Sequence, residues 1–210
     1  ISSNPNMAMT ISNSTNSGVI YGNGNYVSNV GGFVGEIFSN TNMNMVISNS
    51  TSNGTFTGKH YVGGFVGIIW SSTNMNMTIS NSNNNAIVNG SGDSVGGFVG
   101  WFNNKNMTMT ISNSTNNGSV TGSGDVGGFV GHISSSTNMT MTISNSNNNS
   151  TVTASYCVGG FLGCISRNTN VSMTISNSTN NGIVNGSDNY VGGFVGVILS
   201  FSYSYSTALD

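Results

Sequence analysis

Apolar and polar residues alternate along most of this chain, and the alternation restarts about every 32 residues. In the fourth unit Met107-Thr-Met109-Thr-Ile111-Ser keeps a period of two, the pattern of a strand with one buried face. Asn116-Asn117-Gly118 then reads as a turn, Ser119-Val120-Thr121 as a short strand, and Gly122-Ser123-Gly124-Asp125 as a second turn. The third strand is Val126-Gly-Gly-Phe129-Val130-Gly-His132-Ile133. No stretch shows the i, i+3, i+4 spacing of a helix, and the good helix formers Ala, Glu, Lys and Leu are scarce.

The units are copies of one another. Val-Gly-Gly-Phe-Val-Gly occurs six times, once with Leu for the second Val, its first glycine at Gly31, Gly63, Gly96, Gly127, Gly159 and Gly192. Ile-Ser-Asn-Ser starts at Ile11, Ile47, Ile79, Ile111, Ile143 and Ile175. The first of those steps is 36 residues and the others 32, which places about four extra residues in the first unit, around Tyr26–Asn29. A fixed period of this length signals a repeat architecture. The reading is all-β: a parallel β-solenoid of six ~32-residue coils, three short strands per coil, over residues 7–198. A propeller is the rival, though 32 residues is short for a four-stranded blade. Residues 1–6 match the end of a coil, and 199–210 form an aromatic cap or connector.

Equivalent side chains should stack into ladders. Phe33, Phe65, Phe98, Phe129, Phe161 and Phe194 are expected inside, with methionine, isoleucine and valine ladders. An inward amide ladder is expected from Asn13, Asn49, Asn81, Asn113, Asn145 and Asn177. The glycine strand is apolar on both faces, so the row Val34, Val66, Val99, Val130, Leu162 and Val195 is expected to point outward. There, with Ile68, Trp101, Cys164 and Val197 beside it, it would form an assembly interface. Phe201, Tyr203 and Tyr205 are expected to pair with the next copy.

Composition narrows the function. Charged residues make up 4% of the chain, against roughly 25% in ordinary soluble domains. A net charge of -2 with three cations leaves no basic face for nucleic acid. No run of 18 apolar residues can span a bilayer as a helix. The chain begins at Ile1 without a leader, as a processed protein or a piece of a longer array would.

The segments Gly127-Gly-Phe-Val-Gly131, Thr142-Ile-Ser-Asn-Ser146 and Gly182-Ile-Val-Asn-Gly186 together resemble the GLUG repeat. That family occurs in large surface and adhesin-like proteins of bacteria and some protists. The resemblance covers Met7 to Ile198 and implies a repeat protein at a cell surface.

Candidate chemistry is sparse. His60 and His132 fall at different repeat positions and read as surface residues, so no serine hydrolase triad is expected. The glycines precede no helix and make no phosphate loop. Asp93, Asp125 and Asp188 read as turn formers, one carboxylate per coil being thin for calcium. Cys157 and Cys164 lie about 23 Å apart if extended, too far to bridge unless the strand folds back. Turn asparagines Asn53, Asn89, Asn117 and Asn185 are the best glycosylation acceptors. No catalytic site, cofactor or metal is expected. The expected role is a subunit of an extracellular fibre or surface layer built from copies of itself, with glycans as further partners. The alternatives are an adhesin-type binding module or ice binding through outward rows such as Thr108, Thr110 and Ser112.

Overall fold

A computed structural model describes residues 1–24, 28–188 and 190–199. The chain is a parallel β-solenoid. Its strands form one 10-stranded and three 6-stranded sheets, and every strand pairing among the described residues is parallel. Met75, Met107 and Met139 occupy one row, and Ile79, Ile111, Ile143 and Ile175 another. The phenylalanine rings stack at 4.7–5.1 Å between centroids from Phe33 to Phe194. That spacing is the distance between hydrogen-bonded strands.

The fourth coil shows the plan: Val99–Ser112, Thr115–Asn116, Val120–Thr121, Asp125–Gly127. The predicted glycine strand is divided by a corner at Gly128-Phe129, and its second half, Val130–Ser134, belongs to the large sheet. The extra residues of the first coil fall between Tyr21 and Asn29. Those two pair with Thr57 and Tyr61, so seven intervening residues there stand where the next coil has three.

Two apolar clusters fill the coil. The larger holds the methionine, isoleucine and phenylalanine ladders; the smaller is mostly valine, from Val30 to Val158. The stripe Val34, Val66, Val99, Val130, Leu162 is buried in the larger cluster, and Val195 packs against it half-buried. This corrects the expectation of an outward interface. At the corner the amides of Phe129 and Val130 both donate to the Phe161 carbonyl (3.0 and 2.9 Å). Period two fails there, and both side chains turn inward.

The amide ladder is also displaced. Asn13, Asn49, Asn81, Asn113, Asn145 and Asn177 are exposed, each with φ between 48° and 50°. Asparagine tolerates this left-handed conformation, and here it turns the corner. A corner residue of this kind shifts the alternation by one. Ser114 and Asn116 therefore face inward where strict alternation from Ile111 would put Asn113. The interior ladder runs from Asn84 through Asn116 and Asn148 to Asn180, each Nδ2 donating to the next Oδ1 at 2.7–2.8 Å.

The glycines serve close packing. No glycine among the described residues has positive φ. A Cβ on Gly128 would lie 2.1 Å from the Gly160 carbonyl oxygen of the next coil.

Candidate functional site

The corner that buries Phe and Val brings together the residues on either side of the hexapeptide. The residue before it opens the short glycine strand, giving the column Asn29, Tyr61, Ser94, Asp125, Cys157, Tyr190. The residue after it lies on the large sheet, giving Glu36, Ile68, Trp101, His132, Cys164, Val197. These columns vary from coil to coil while the motif between them repeats. They line a groove parallel to the stacking axis.

At one end, Asn29, Glu36, Tyr61, Ile68, Trp70 and Trp101 enclose a hollow of about 510 Å³. Trp70 stacks on Phe38 at 4.2 Å, and its Nε1–H donates to Glu36 Oε1 (2.6 Å). Asn29 Oδ1 is buried there without a hydrogen-bond donor. A second hollow of about 340 Å³ includes Asp93, Ser94, Asp125, His132, Ser134 and Tyr156 in its walls. Tyr61 and Trp101, stacked at 4.9 Å, line both hollows and form the ridge between them. The Trp101 Nε1–H is held by Ser134 Oγ (2.8 Å). Burial, then the Asp93 charge, pushes the Tyr61 hydroxyl above its ordinary value of 10.0.

His132 is half-buried and fixed at both ring nitrogens. A carboxylate can only accept, so Nδ1–H donates to Asp125 Oδ2 (2.9 Å), and in the neutral ring Nε2 is then the acceptor toward Ser166 Oγ (2.8 Å). That is the connectivity of a Ser-His-Asp relay, which corrects the reading of His132 as a plain surface residue. Ser166 is only 8% exposed, and the next amide, Arg167 N–H, donates to the Leu199 carbonyl (3.3 Å). At the other histidine, His60 Nδ1 meets Asp93 Oδ2 at 2.9 Å.

The strand bearing the cysteines does fold back. Cys157 and Cys164 are both buried free thiols whose sulfurs lie within 4.8 Å of each other and of an Asp125 oxygen. Burial first and the Asp125 charge second push the Cys157 thiol far above its ordinary value; the same causes push Cys164 to about 11.

Other sequence-predicted positions lie away from the groove. Phe65, Phe98, Phe129 and Phe161 are interior, Phe33 is half-buried and Phe194, in the last coil, is exposed. Asn53, Asn117 and Asn185 are exposed and Asn89 half-buried, with Asn53 and Asn117 joined through Asn85 in an exposed amide ladder (2.9 Å each). Phe201, Tyr203 and Tyr205 lie outside the described residues. Among the described residues no helix is long and apolar enough to cross a membrane.

No protein-family model matches the chain, the GLUG repeat included, and no curated protein matches it. Among solved structures it is similar to the "putative immunoglobulin A1 protease" from Bacteroides ovatus, with a TM-score of 0.51 and 19% identity. The likeness covers 92% of this chain and 67% of that one. At that identity it establishes the fold and nothing finer. The expectation that the chain is not an enzyme is accordingly withdrawn, since a chain named as a putative protease has a similar fold.

Proposed function

We propose that the chain is a surface binding module whose groove takes an extended, uncharged glycan. The observation that carries this reading is the Tyr61–Trp101 ridge between two hollows, with half-buried aromatic faces and acceptor oxygens on both sides. Hollows of this size fall within the ~300–1,000 Å³ of typical ligand sites. Sugar rings offer apolar C–H faces to Tyr61, Trp70 and Trp101, and hydroxyl donors to Glu36, Asp93, Asp125 and the unpaired Asn29 Oδ1. Carboxylates along the groove disfavour anions. The fibre reading loses its lateral support, because the valine stripe is interior. The outward Thr and Ser rows share their ladders with Ala8, Asn44, Val46 and Asn76, too irregular a surface to favour ice.

The test is a glycan array followed by calorimetric titration of the best ligand. Trp101→Ala and Tyr61→Ala should each weaken binding at least tenfold, while Thr110→Ala, outside both hollows, leaves it unchanged. Equal binding by Trp101→Ala, or no glycan bound at all, removes the reading.

A second reading is hydrolysis, favoured by the Asp125–His132–Ser166 chain of hydrogen bonds, of which Asp125 and His132 line the second hollow. A fluorophosphonate probe should then label Ser166, and Ser166→Ala or His132→Asn should abolish labelling. An unlabelled wild-type chain rules this out.

A further inference from the structure

We infer that Asp125, Cys157 and Cys164 form a binding site for one thiophilic divalent cation, zinc being the natural occupant. The three donor atoms lie within 4.8 Å of one another. Around a tetrahedral zinc, with Zn–S near 2.3 Å and Zn–O near 2.0 Å, donors stand roughly 3.5–3.8 Å apart. The cluster therefore needs a contraction on the order of 1 Å, within the reach of side-chain rotation. The donors come from three strands that the fold holds in place. Asp125 and Cys157 are register partners on the short glycine sheet, and Cys164 returns beside them on the large sheet after the glycine corner.

The surroundings match those of a metal ligand set. Cys157 is 0% and Cys164 4% exposed, so the sulfur side is closed to water. Asp125 lines the second hollow, so the remaining coordination position opens into the groove, as in sites that keep a water or substrate ligand. His132 is not counted as a ligand, since both of its nitrogens are engaged. Its Nδ1–H holds Asp125 Oδ2, and the same carboxylate is hydrogen-bonded to the Cys157 thiol; hydrogen bonds of this kind orient ligating carboxylates. Two sulfurs and an oxygen favour zinc over magnesium or calcium, which take oxygen donors. On binding, both thiols give their protons to solvent and the metal takes the two thiolates. The site does not depend on the glycan reading.

The experiment uses the full chain, reduced and exchanged into reductant-free buffer without oxygen. Cobalt(II) is titrated in, with native mass spectrometry for stoichiometry. One ion per chain is expected, with the visible bands of tetrahedral cobalt and a near-ultraviolet thiolate charge-transfer band, both bleached by one equivalent of zinc. Zinc should also protect both cysteines from alkylation. Cys157→Ser and Cys164→Ser should each weaken binding at least 100-fold, and His132→Asn by about 10- to 100-fold. Circular dichroism checks that each variant is folded. Should Cys157→Ser unfold, Cys164→Ser and the alkylation readout decide the matter. The inference is overturned if the reduced chain shows no charge-transfer band, if binding survives both serine variants, or if the thiols simply oxidise to a disulfide and the reduced form binds no metal.

Discussion

Two asparagines three residues apart should behave as opposites. Asn116 lies in the interior amide ladder. Its Oδ1 accepts from Asn84 Nδ2 (2.7 Å), and its Nδ2 donates to Asn148 Oδ1 (2.8 Å) and Ser150 Oγ (2.6 Å). Replacing it by alanine removes three buried hydrogen bonds. Asn148 Oδ1 keeps the Ser150 hydroxyl as a donor (2.9 Å), but Asn84 Nδ2 loses the acceptor it used. At ~1 kcal/mol net per bond and ~1–3 kcal/mol for an orphaned buried donor, Asn116→Ala should cost about 4–6 kcal/mol. Asn113 is exposed at φ 49°, where glycine is at ease, and Asn113→Gly should change stability by less than about 1 kcal/mol. Asn113→Val forces a β-branched residue into that region and should cost ~1–3 kcal/mol. Urea unfolding followed by far-ultraviolet circular dichroism measures all three. If Asn113→Gly were the costly change and Asn116→Ala the silent one, the corner-shifted alternation would be wrong.

Two further outcomes follow from the same packing. Gly128→Ala places a methyl 2.1 Å from the Gly160 carbonyl oxygen and should abolish folding, whereas Gly193→Ala, at the same repeat position with nothing within 4 Å, should melt like the parent. A penalty at Gly193 that grows with protein concentration would reveal another copy stacked on that face. The buried thiols bind their protons more tightly in the folded chain, whose Cys164 is raised from 9.0 to about 11, than in the unfolded one. Stability should therefore be full below about pH 9 and be lost progressively as pH rises from there through about 11. Denaturant melts of the reduced chain against a Cys157→Ser/Cys164→Ser variant test this, and parallel pH profiles would refute it.

Periodicity made the solenoid legible, because every coil repeats the same inward residues and the ladders follow from stacking alone. It failed where the backbone turns. A left-handed Asn113 and the paired amides at Phe129 and Val130 each break period two. Alternation carried through either corner assigns the wrong face to Asn113 and to Val130. The groove failed for another reason. His132, Cys157 and Cys164 were each weighed singly, as a histidine and a pair of distant thiols. Their usable signal was positional: they flank a hexapeptide that otherwise repeats, and a fold-back within it makes its two flanks neighbours.

That fold-back makes each coil a cartridge. Two side chains seven residues apart in sequence are brought side by side at the groove, while the six residues between them are spent on the core and the corner. The flanking pair stands outside both apolar clusters, and this chain displays six different pairs in register: Asn29 with Glu36, Tyr61 with Ile68, Ser94 with Trp101, Asp125 with His132, Cys157 with Cys164, Tyr190 with Val197. Chemistry is thus addressed along the rod in steps of ~4.8 Å. Grafting Asp125, His132, Cys157 and Cys164 onto two other adjacent coils would carry the donor cluster with them, and reordering coils would rewrite the groove without redesigning the fold.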